Sequence, residues 1–237
     1  MIKYERQQNI VSILKERRFA TVAELAGEVW ASEASVRRDI EWLEKQGYVN
    51  KIYGGVVLAE YKNSVVPVEL RASAYSPEKE LVAKRAAEYV FDGATIIMDG
   101  SSTVRRICKH LAHGMKLKIF TNNQQIFTDL ADRDLELYCT GGRFDPENRV
   151  FVGTAAEHFL RGISADILFF SSQAISERGE ISDVSETETS IRRVMMERAR
   201  KKIFLCDSSK FGLVKPFTLC TKDEVDVILC DRELELS

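Results

Sequence analysis

Between residues 94 and 230 the chain writes the same kind of text six times: a short apolar run, ATIIM (94–98), KIF (118–120), LELYC (135–139), ADILFF (165–170), KIFLC (202–206) and VDVILC (225–230). A strand with one wet face alternates polar and apolar residues, whereas a run that stays apolar needs cover on both faces, which a parallel sheet between helices supplies. Helix-like stretches separate the runs, near 104–111, 125–131, 155–160 and 188–199, and Leu81, Ala86, Ala87 and Val90 stripe an earlier helix. The pattern predicts an α/β domain over 78–237 with a mainly parallel sheet. At 237 residues and 45% hydrophobic content the chain has enough apolar matter for one or two real cores. No internal repeat competes with that reading.

The first 58 residues are different text. Ile10, Val11 and Leu14 stripe one helix; Thr21 with Glu24 forms a capping box ahead of Val22, Leu25, Ala26 and Val29; Ser32 caps a third helix that runs to Gly47. Two short helices joined by about three residues, following a first, predict a helix-turn-helix. The next segment, YVNKIYGGVVLAEY, sets β-branched and aromatic residues on either side of Gly54 and Gly55, as a small β-wing requires. The segment 59–77 mixes Pro, Ser and charges without a period and is expected to be a linker.

The third helix poses a question of its own. Val36, Ile40 and Leu43 fall on one buried face, yet Arg37 and Arg38 stand side by side between them. At about 100° per residue Arg38 lies about 200° from Val36, outward beside Ala34, Ser35 and Trp42, while Arg37 sits between the faces. Small residues and cations lead, and the acids Glu41 and Glu44 trail. That polarity suits a helix entering the DNA major groove by its first turns, with arginines reaching phosphates or guanine edges. Taken alone, Arg37 with Glu41 is an ordinary ion pair four residues apart on a solvated surface. Within this setting of capped helices and a wing, the expected DNA contacts are Thr21, Ser32, Ala34, Ser35, Arg37, Arg38, Lys51 and Tyr53, with Lys3 and Arg6 as further phosphate partners.

Charge does not argue against this. The net charge is −2, with 9 Lys+Arg against 8 Asp+Glu in residues 1–58 and 25 against 28 in the remainder, so a DNA contact must come from local clustering. Cys108, Cys139, Cys206, Cys220 and Cys230 are odd in number, widely spaced and mostly set in strand-like text; they are expected to be reduced and to pack as small hydrophobes. His110, His113 and His158 lack partner ligands nearby and read as surface residues. Neither a metal set nor a dinucleotide fingerprint such as GxGxxG is present, so no cofactor is expected. With no apolar run of about 18 residues and a charged, polar beginning, a cytoplasmic protein without a membrane span is expected.

The run TVAELAGEVWASEASVRRDIEWLEKQGYVNKIYGG resembles the winged helix of the DeoR family of bacterial transcriptional regulators, with Ser35 before the triplet Val36, Arg37, Arg38. The segments DGSST, TNN, TGGR and DSSKFG follow in the order and approximate spacing of that family's effector domain. The resemblance implies a C-terminal domain similar to ribose-5-phosphate isomerase and CoA transferases, used to sense a phosphorylated sugar or related metabolite. It implies a regulator, commonly a repressor, of carbohydrate uptake or catabolism operons.

The same segments stand out without the family. A parallel α/β sheet takes ligands outside the carboxyl ends of its strands. Four strand exits there are rich in glycine, hydroxyls and amides: Asp99, Gly100, Ser101, Ser102 and Thr103; Thr121, Asn122 and Asn123; Gly141 and Gly142; Asp207 and Lys210. Glycines and a helix start suit a phosphate, Lys210 adds a cation, and Asp99, Asn122 and Asn123 suit sugar hydroxyls. Taken singly, DGSST is a routine helix cap and TGGR a simple turn. After ADILFF, where the family usually places glycines, Ser171, Ser172 and Gln173 add side chains and predict a narrower, more polar pocket or a ligand approaching elsewhere. A sugar-phosphate isomerase using Asp99, Asp207, Glu186 and Lys210 is the rival reading, and a CoA transferase would need Glu186 or Glu188 as nucleophile; neither explains a winged helix. A third reading has the C-terminal domain only oligomerise. The expected partners are operator DNA, an anionic metabolite and further copies of the chain, since one winged helix offers few contacts.

Overall fold

Three helices and three short strands build the N-terminal part: α1 (Lys3–Arg17), β1 (Phe19–Ala20), α2 (Val22–Glu28), α3 (Glu33–Lys45), β2 (Val49–Ile52) and β3 (Gly55–Leu58). The capping box at α2 forms in full, the Glu24 amide donating to Thr21 Oγ1 at 3.1 Å and the Thr21 amide to Glu24 Oε2 at 2.7 Å. Ser32 caps α3. Gly47 ends it at φ +76°, with its amide on the Glu44 carbonyl and the Tyr48 amide reaching back to Leu43, the paired bonds that favour glycine at this position. Ile10, Leu14, Leu25, Val36, Ile40 and Leu43 share one core. β3 lies between β1 and β2, antiparallel to both, so the wing is a three-stranded sheet.

The computed structural model describes residues 2–17, 19–52, 55–59, 72 and 75–236. The chain divides into two units, Met1–Val66 and Pro67–Ser237. Most of the segment expected as a linker, 59–77, lies outside the described residues. The second unit opens with α4 (Ser76–Ala87), β4 (Thr95–Met98), α5 (Ser102–Arg105) followed by a 3-10 turn at Arg106–Lys109, β5 (Lys118–Thr121), α6 (Gln124–Leu130) and β6 (Glu136–Cys139). The hairpin of β7 (Arg143–Asp145) and β8 (Val150–Val152) leads to α7 (Thr154–Arg161), β9 (Ala165–Phe170), β10 (Ala174–Ile175) and β11 (Glu180–Asp183). Last come α8 (Glu186–Glu197), β12 (Ala199–Leu205), β13 (Phe217–Thr221) and β14 (Val227–Leu229).

Six of these strands form a sheet in the order β14-β12-β9-β4-β5-β6, every neighbouring pair parallel. Successive side chains serve opposite faces. Ile167 and Phe169 pack under α4, α5 and α6, whereas Leu168 and Phe170 pack under α7 and α8, which is why ADILFF shows no alternation. Burying each such side chain stabilises the fold by about 1.5–3 kcal/mol. From β4 the chain moves outward to β5 and β6, then returns beside β4 and moves the other way through β9, β12 and β14. The sheet therefore reverses its winding between β4 and β9, where an open α/β sheet leaves a crevice.

Three expectations need correction. α4 buries Lys79, Val82, Ala83 and Ala86, and Leu81 is 47% exposed, so the stripe turns on a different axis from the one read in sequence. His110 is half-buried and bonds Glu80 at 2.7 Å rather than standing free on the surface. The antiparallel pieces, β7 with β8 and the sheet β10-β11-β13, are not among the runs expected from the sequence: β7, β11 and β13 mix polar with apolar residues, and β8 and β10 are only three and two residues long. All five cysteines are free thiols, as expected. Among the described residues no helix is long and apolar enough to cross a membrane.

Candidate functional site

On α3 the buried stripe closes to within a few per cent exposure at Val36, Ile40 and Leu43. Ser32, Ala34, Arg37 and Arg38 are exposed and Ser35 half-buried, so the helix presents its small, cationic first turns to solvent. Arg37 pairs with Glu33 at 2.8 Å, not with Glu41, and keeps 61% of its side chain exposed. Arg38 donates from Nε to the Ala34 carbonyl at 3.2 Å, leaving the end of the guanidinium outward. Asp39 turns the other way. It is buried and accepts from Arg6 Nε at 2.5 Å and Gln7 Nε2 at 3.1 Å, tying α3 to α1. Arg6, expected on phosphate, is therefore a structural clamp.

Thr21 is half-buried and spends its hydroxyl on the cap of α2. Lys51 pairs through Nζ with Glu44 at 3.1 Å, and its amide donates to the same carboxylate at 3.0 Å, which fixes the wing to α3. Lys3 is exposed. Tyr53 lies outside the described residues.

In the second unit the reversal point of the sheet is where the expected effector residues meet. Asp99, at the end of β4, is fully buried: Oδ1 accepts from the Ser101 amide at 2.9 Å, and Oδ2 from the Ser171 amide at 3.1 Å and Arg192 Nε at 2.8 Å. Both oxygens are engaged by protein, so Asp99 organises the crevice rather than offering itself to sugar hydroxyls. Asn123 caps α6 through Oδ1, bonded by the amides of Gln125 and Ile126, and its Nδ2 donates to the Gly100 carbonyl at 3.0 Å. The Asn123 amide itself rests on Thr121 Oγ1 at 3.0 Å. Ser101 caps α5, placing Ser102 and Thr103 in its first turn. Gly100 is required by packing, since a Cβ there would lie 2.3 Å from Val150 Cγ1.

Two polar atoms in this crevice are left over. Thr103 Oγ1 and Asn122 Oδ1 are buried without a hydrogen-bond partner among the described residues, although Asn122 Nδ2 donates to the Phe151 carbonyl at 3.0 Å. A buried oxygen without a partner costs about 1–3 kcal/mol, which a bound water or ligand group would relieve. Asn122 Oδ1 also lies 3.6 Å from the position a Gly100 Cβ would take, so it faces the first strand exit.

Lys210 is buried and donates from Nζ to Ser171 Oγ at 2.8 Å, with Asp207 Oδ2 at 3.8 Å. Ser171 Oγ donates in turn to the Leu205 carbonyl at 2.6 Å. Ser172 Oγ bonds the Ser182 carbonyl at 2.7 Å and Asp183 Oδ2 at 3.1 Å. The serines found where the family usually places glycines thus brace Lys210 and Asp183; their hydroxyls bond protein groups, which bears against the first of the two expectations, a narrower pocket lined by them, and leaves the second, a ligand approaching elsewhere, untouched. Gly141 and Gly142, at φ +64° and +104°, stand one strand over, and Gly142 abuts Val152 and Ala156.

Arg192 was missed in the sequence. Its guanidinium, 3% exposed, bonds Asp99 at 2.8 Å, Asp183 at 2.9 Å and Glu188 at 2.6 Å. Burial alone would lower its pKa, but the charges of Asp183, Glu188 and Asp99 outweigh that and raise it above the usual arginine range, so it stays a cation. Its only sequence signal was a glutamate four residues earlier on a helix. Glu188, considered as a nucleophile, is spent on this pairing, and Glu186 sits in the first turn of α8. Among the described residues no group of His, Cys, Asp and Glu is placed to hold a metal.

The comparisons with known proteins fit both units. A DeoR-like helix-turn-helix domain matches residues 6–62, and the DeoR C terminal sensor domain matches residues 75–232. YgbI of Escherichia coli (strain K12), an HTH-type transcriptional regulator, is 32% identical over 235 residues, 99% of this chain and 92% of that protein. The HTH-type transcriptional repressor GlcR of Bacillus subtilis (strain 168) is 28% identical over 233 residues, 98% of this chain and 90% of its own. Both are named as regulators, not as enzymes. Ribose 5-phosphate isomerase A of Methanocaldococcus jannaschii is 16% identical with a TM-score of 0.44, covering 58% of this chain and 55% of its own, a likeness that bears on neither activity nor ligand. With its winged helix and its sensor domain both matched, the chain is a DNA-binding transcriptional regulator of the DeoR family.

Proposed function

We propose that this regulator is a cytoplasmic repressor of a carbohydrate uptake or catabolism operon, released or tightened on its operator by a phosphorylated sugar. Arg37 and Arg38 contact the operator from the leading turns of α3, with Ser32, Ala34 and Ser35 allowing close approach and Lys51 and Tyr53 on the flanking backbone, while Thr21 holds the cap of α2. The observation that carries the sensor half is two buried oxygens just past the ends of β4 and β5, Thr103 Oγ1 and Asn122 Oδ1, without a hydrogen-bond partner among the described residues. The Asn122 oxygen accepts a sugar hydroxyl, and the Thr103 hydroxyl donates to a phosphate or hydroxyl oxygen. Backbone amides of Gly100, Ser102, Thr103, Gly141 and Gly142 and the third donor of Lys210 complete the anion's surroundings, while Asp99, Asn123, Thr121 and Asp207 hold the loops in place.

The fixed charges argue for a polar ligand with several hydroxyls. Asp99, Asp183, Glu188 and Asp207 outnumber Arg192 and Lys210, so a phosphate gains little from the local field and must be held by hydrogen bonds. Two or more copies, acting on paired half-sites, gain operator affinity through effective concentration, and effector binding shifts the population of arrangements able to span them.

A gel shift on DNA flanking the protein's own coding region, repeated with a panel of phosphorylated sugars, tests the whole reading. One sugar phosphate should change operator affinity, by a factor of about 5–150 for a typical coupling. Thr103→Val should abolish that response while leaving unliganded DNA binding intact, because the lost hydroxyl has no partner among the described residues. A response unchanged in Thr103→Val and in Lys210→Ala places the ligand elsewhere.

A further inference from the structure

Cys206 and Cys230 end two neighbouring strands. β12 and β14 pair in register, with Leu205 opposite Leu229, and the Cys206 amide donates to the Leu229 carbonyl at 2.9 Å. The next residue along each strand is a cysteine. Both are free and buried, and both belong to the core on the α7 and α8 face, with the Cys230 thiol donating to Asp231 Oδ1 at 3.4 Å. Cys108, Cys139 and Cys220 lie on other elements.

The pair stands directly beneath two loops of the crevice. Cys206 precedes Asp207, which accepts from the Ser209 hydroxyl and pairs with Lys210. Cys230 precedes Asp231, whose carboxylate accepts from the Ser208 amide at 2.6 Å and hydroxyl at 2.9 Å. Anything that moves the two cysteines together therefore moves the ends of both loops. The neighbouring Cys206 thiol draws the pKa of Cys230 below its ordinary value against burial and the Asp231 carboxylate, and Cys230 together with burial pushes Cys206 well above its own. Cys230 is the better thiolate of the two.

Strand spacing of about 4.8 Å is within reach of a disulfide's Cα separation. The bond also draws the Cβ atoms to about 3.5–4.5 Å and the sulfurs to about 2.05 Å, closer than a thiol hydrogen bond. Forming it must pinch the strand ends together.

We propose that Cys206 and Cys230 are an oxidisable dithiol, converted by a hydroperoxide to an intramolecular disulfide that resets the loop 207–210 beside the candidate effector crevice. The Cys230 thiolate attacks a peroxide oxygen, the O–O bond breaks, and hydroxide leaves to give a sulfenic acid. The Cys206 sulfur then attacks that sulfur, the S–O bond breaks, and the Cys206 proton departs with the hydroxyl as water. Two thiols and one hydrogen peroxide become one disulfide and two waters, and a thiol reductant reverses the change.

The test takes the full-length reduced chain, treats it with equimolar hydrogen peroxide, and maps disulfides by mass spectrometry of non-reduced peptides. One disulfide joining Cys206 to Cys230 is expected, lost in Cys230→Ser and retained in Cys220→Ser. Hydrogen exchange then compares the reduced and oxidised chain: the Ser208 amide should exchange about tenfold faster once its bond to Asp231 is disturbed, the order expected for one charge-assisted hydrogen bond. Free Cys206 and Cys230 after treatment, or oxidation confined to the more accessible Cys139, overturn the proposal. A disulfide that leaves Ser208 exchange unchanged overturns its link to the loop. No sugar phosphate enters either readout, so these outcomes do not depend on the effector assignment.

Discussion

The chain writes nearly the same four-residue phrase twice, differing only in valine for isoleucine: Ser35, Val36, Arg37, Arg38 on α3 and Ser190, Ile191, Arg192, Arg193 on α8. In both helices the aliphatic residue is buried and the second arginine is exposed. The first arginine parts company. Arg37 lies 61% exposed against one surface glutamate, and Arg192 lies 3% exposed against three carboxylates. The difference comes from what stands opposite. α3 is a short amphipathic helix with one core behind it, so its flank is open to solvent; α8 lies across the sheet, and Asp99 from the end of β4 and Asp183 from the end of β11 meet its flank. Nearly the same local phrase gives a solvent-facing cation with one surface partner in one unit and a buried cation shared by three carboxylates in the other.

The comparison breaks most visibly at Arg192. Arg192→Leu should cost the second unit about 3–5 kcal/mol in urea unfolding, because three buried carboxylates lose their shared cation. A loss below about 1 kcal/mol would mean that water reaches those carboxylates and that the crevice is not organised by them. Asp39→Ala is the nearest equivalent in the winged helix. Removing the buried acceptor of Arg6 and Gln7 should destabilise that unit by about 1.5–3 kcal/mol, as for other hydrogen bonds to charged groups, and a separate thermal transition would report it. Glu33→Gln sharpens the other end of the scale. Its pair with Arg37 is exposed, so stability should change by only about 0.3–0.5 kcal/mol, while DNA affinity should hold or rise as a negative charge leaves the α3 surface.

Much of the fold was legible because burial on both faces leaves a mark in one dimension. ADILFF and KIFLC had to be central strands, and β9 and β12 are. The capping box at Thr21 and the glycine stop at Gly47 were readable for a similar reason, since each is a local exchange of hydrogen bonds. The crevice was only half legible. Strand exits such as Asp99 and Asn122 follow from a rule about sheets, but the partners that set their roles are remote. Arg192 reaches an aspartate 93 residues away, so Asp99 looked free for a ligand when it is already spent. Likewise Ser171 and Ser172 looked like pocket walls until their hydroxyls were seen bracing Lys210 and Asp183. Tertiary charge placement leaves no period in the sequence.

Operator binding measured by fluorescence anisotropy for Arg38→Ala and Arg193→Ala, over a range of salt, sets the two phrases directly against each other. Arg38→Ala should lose about 1–3 kcal/mol if the side chain reads a base edge, or reduce the salt slope by about 1 if it holds a phosphate, whereas Arg193→Ala should bind as the parent does. Equal affinity and equal salt slope in a folded Arg38→Ala protein would contradict the claim that α3 carries the DNA-reading cations.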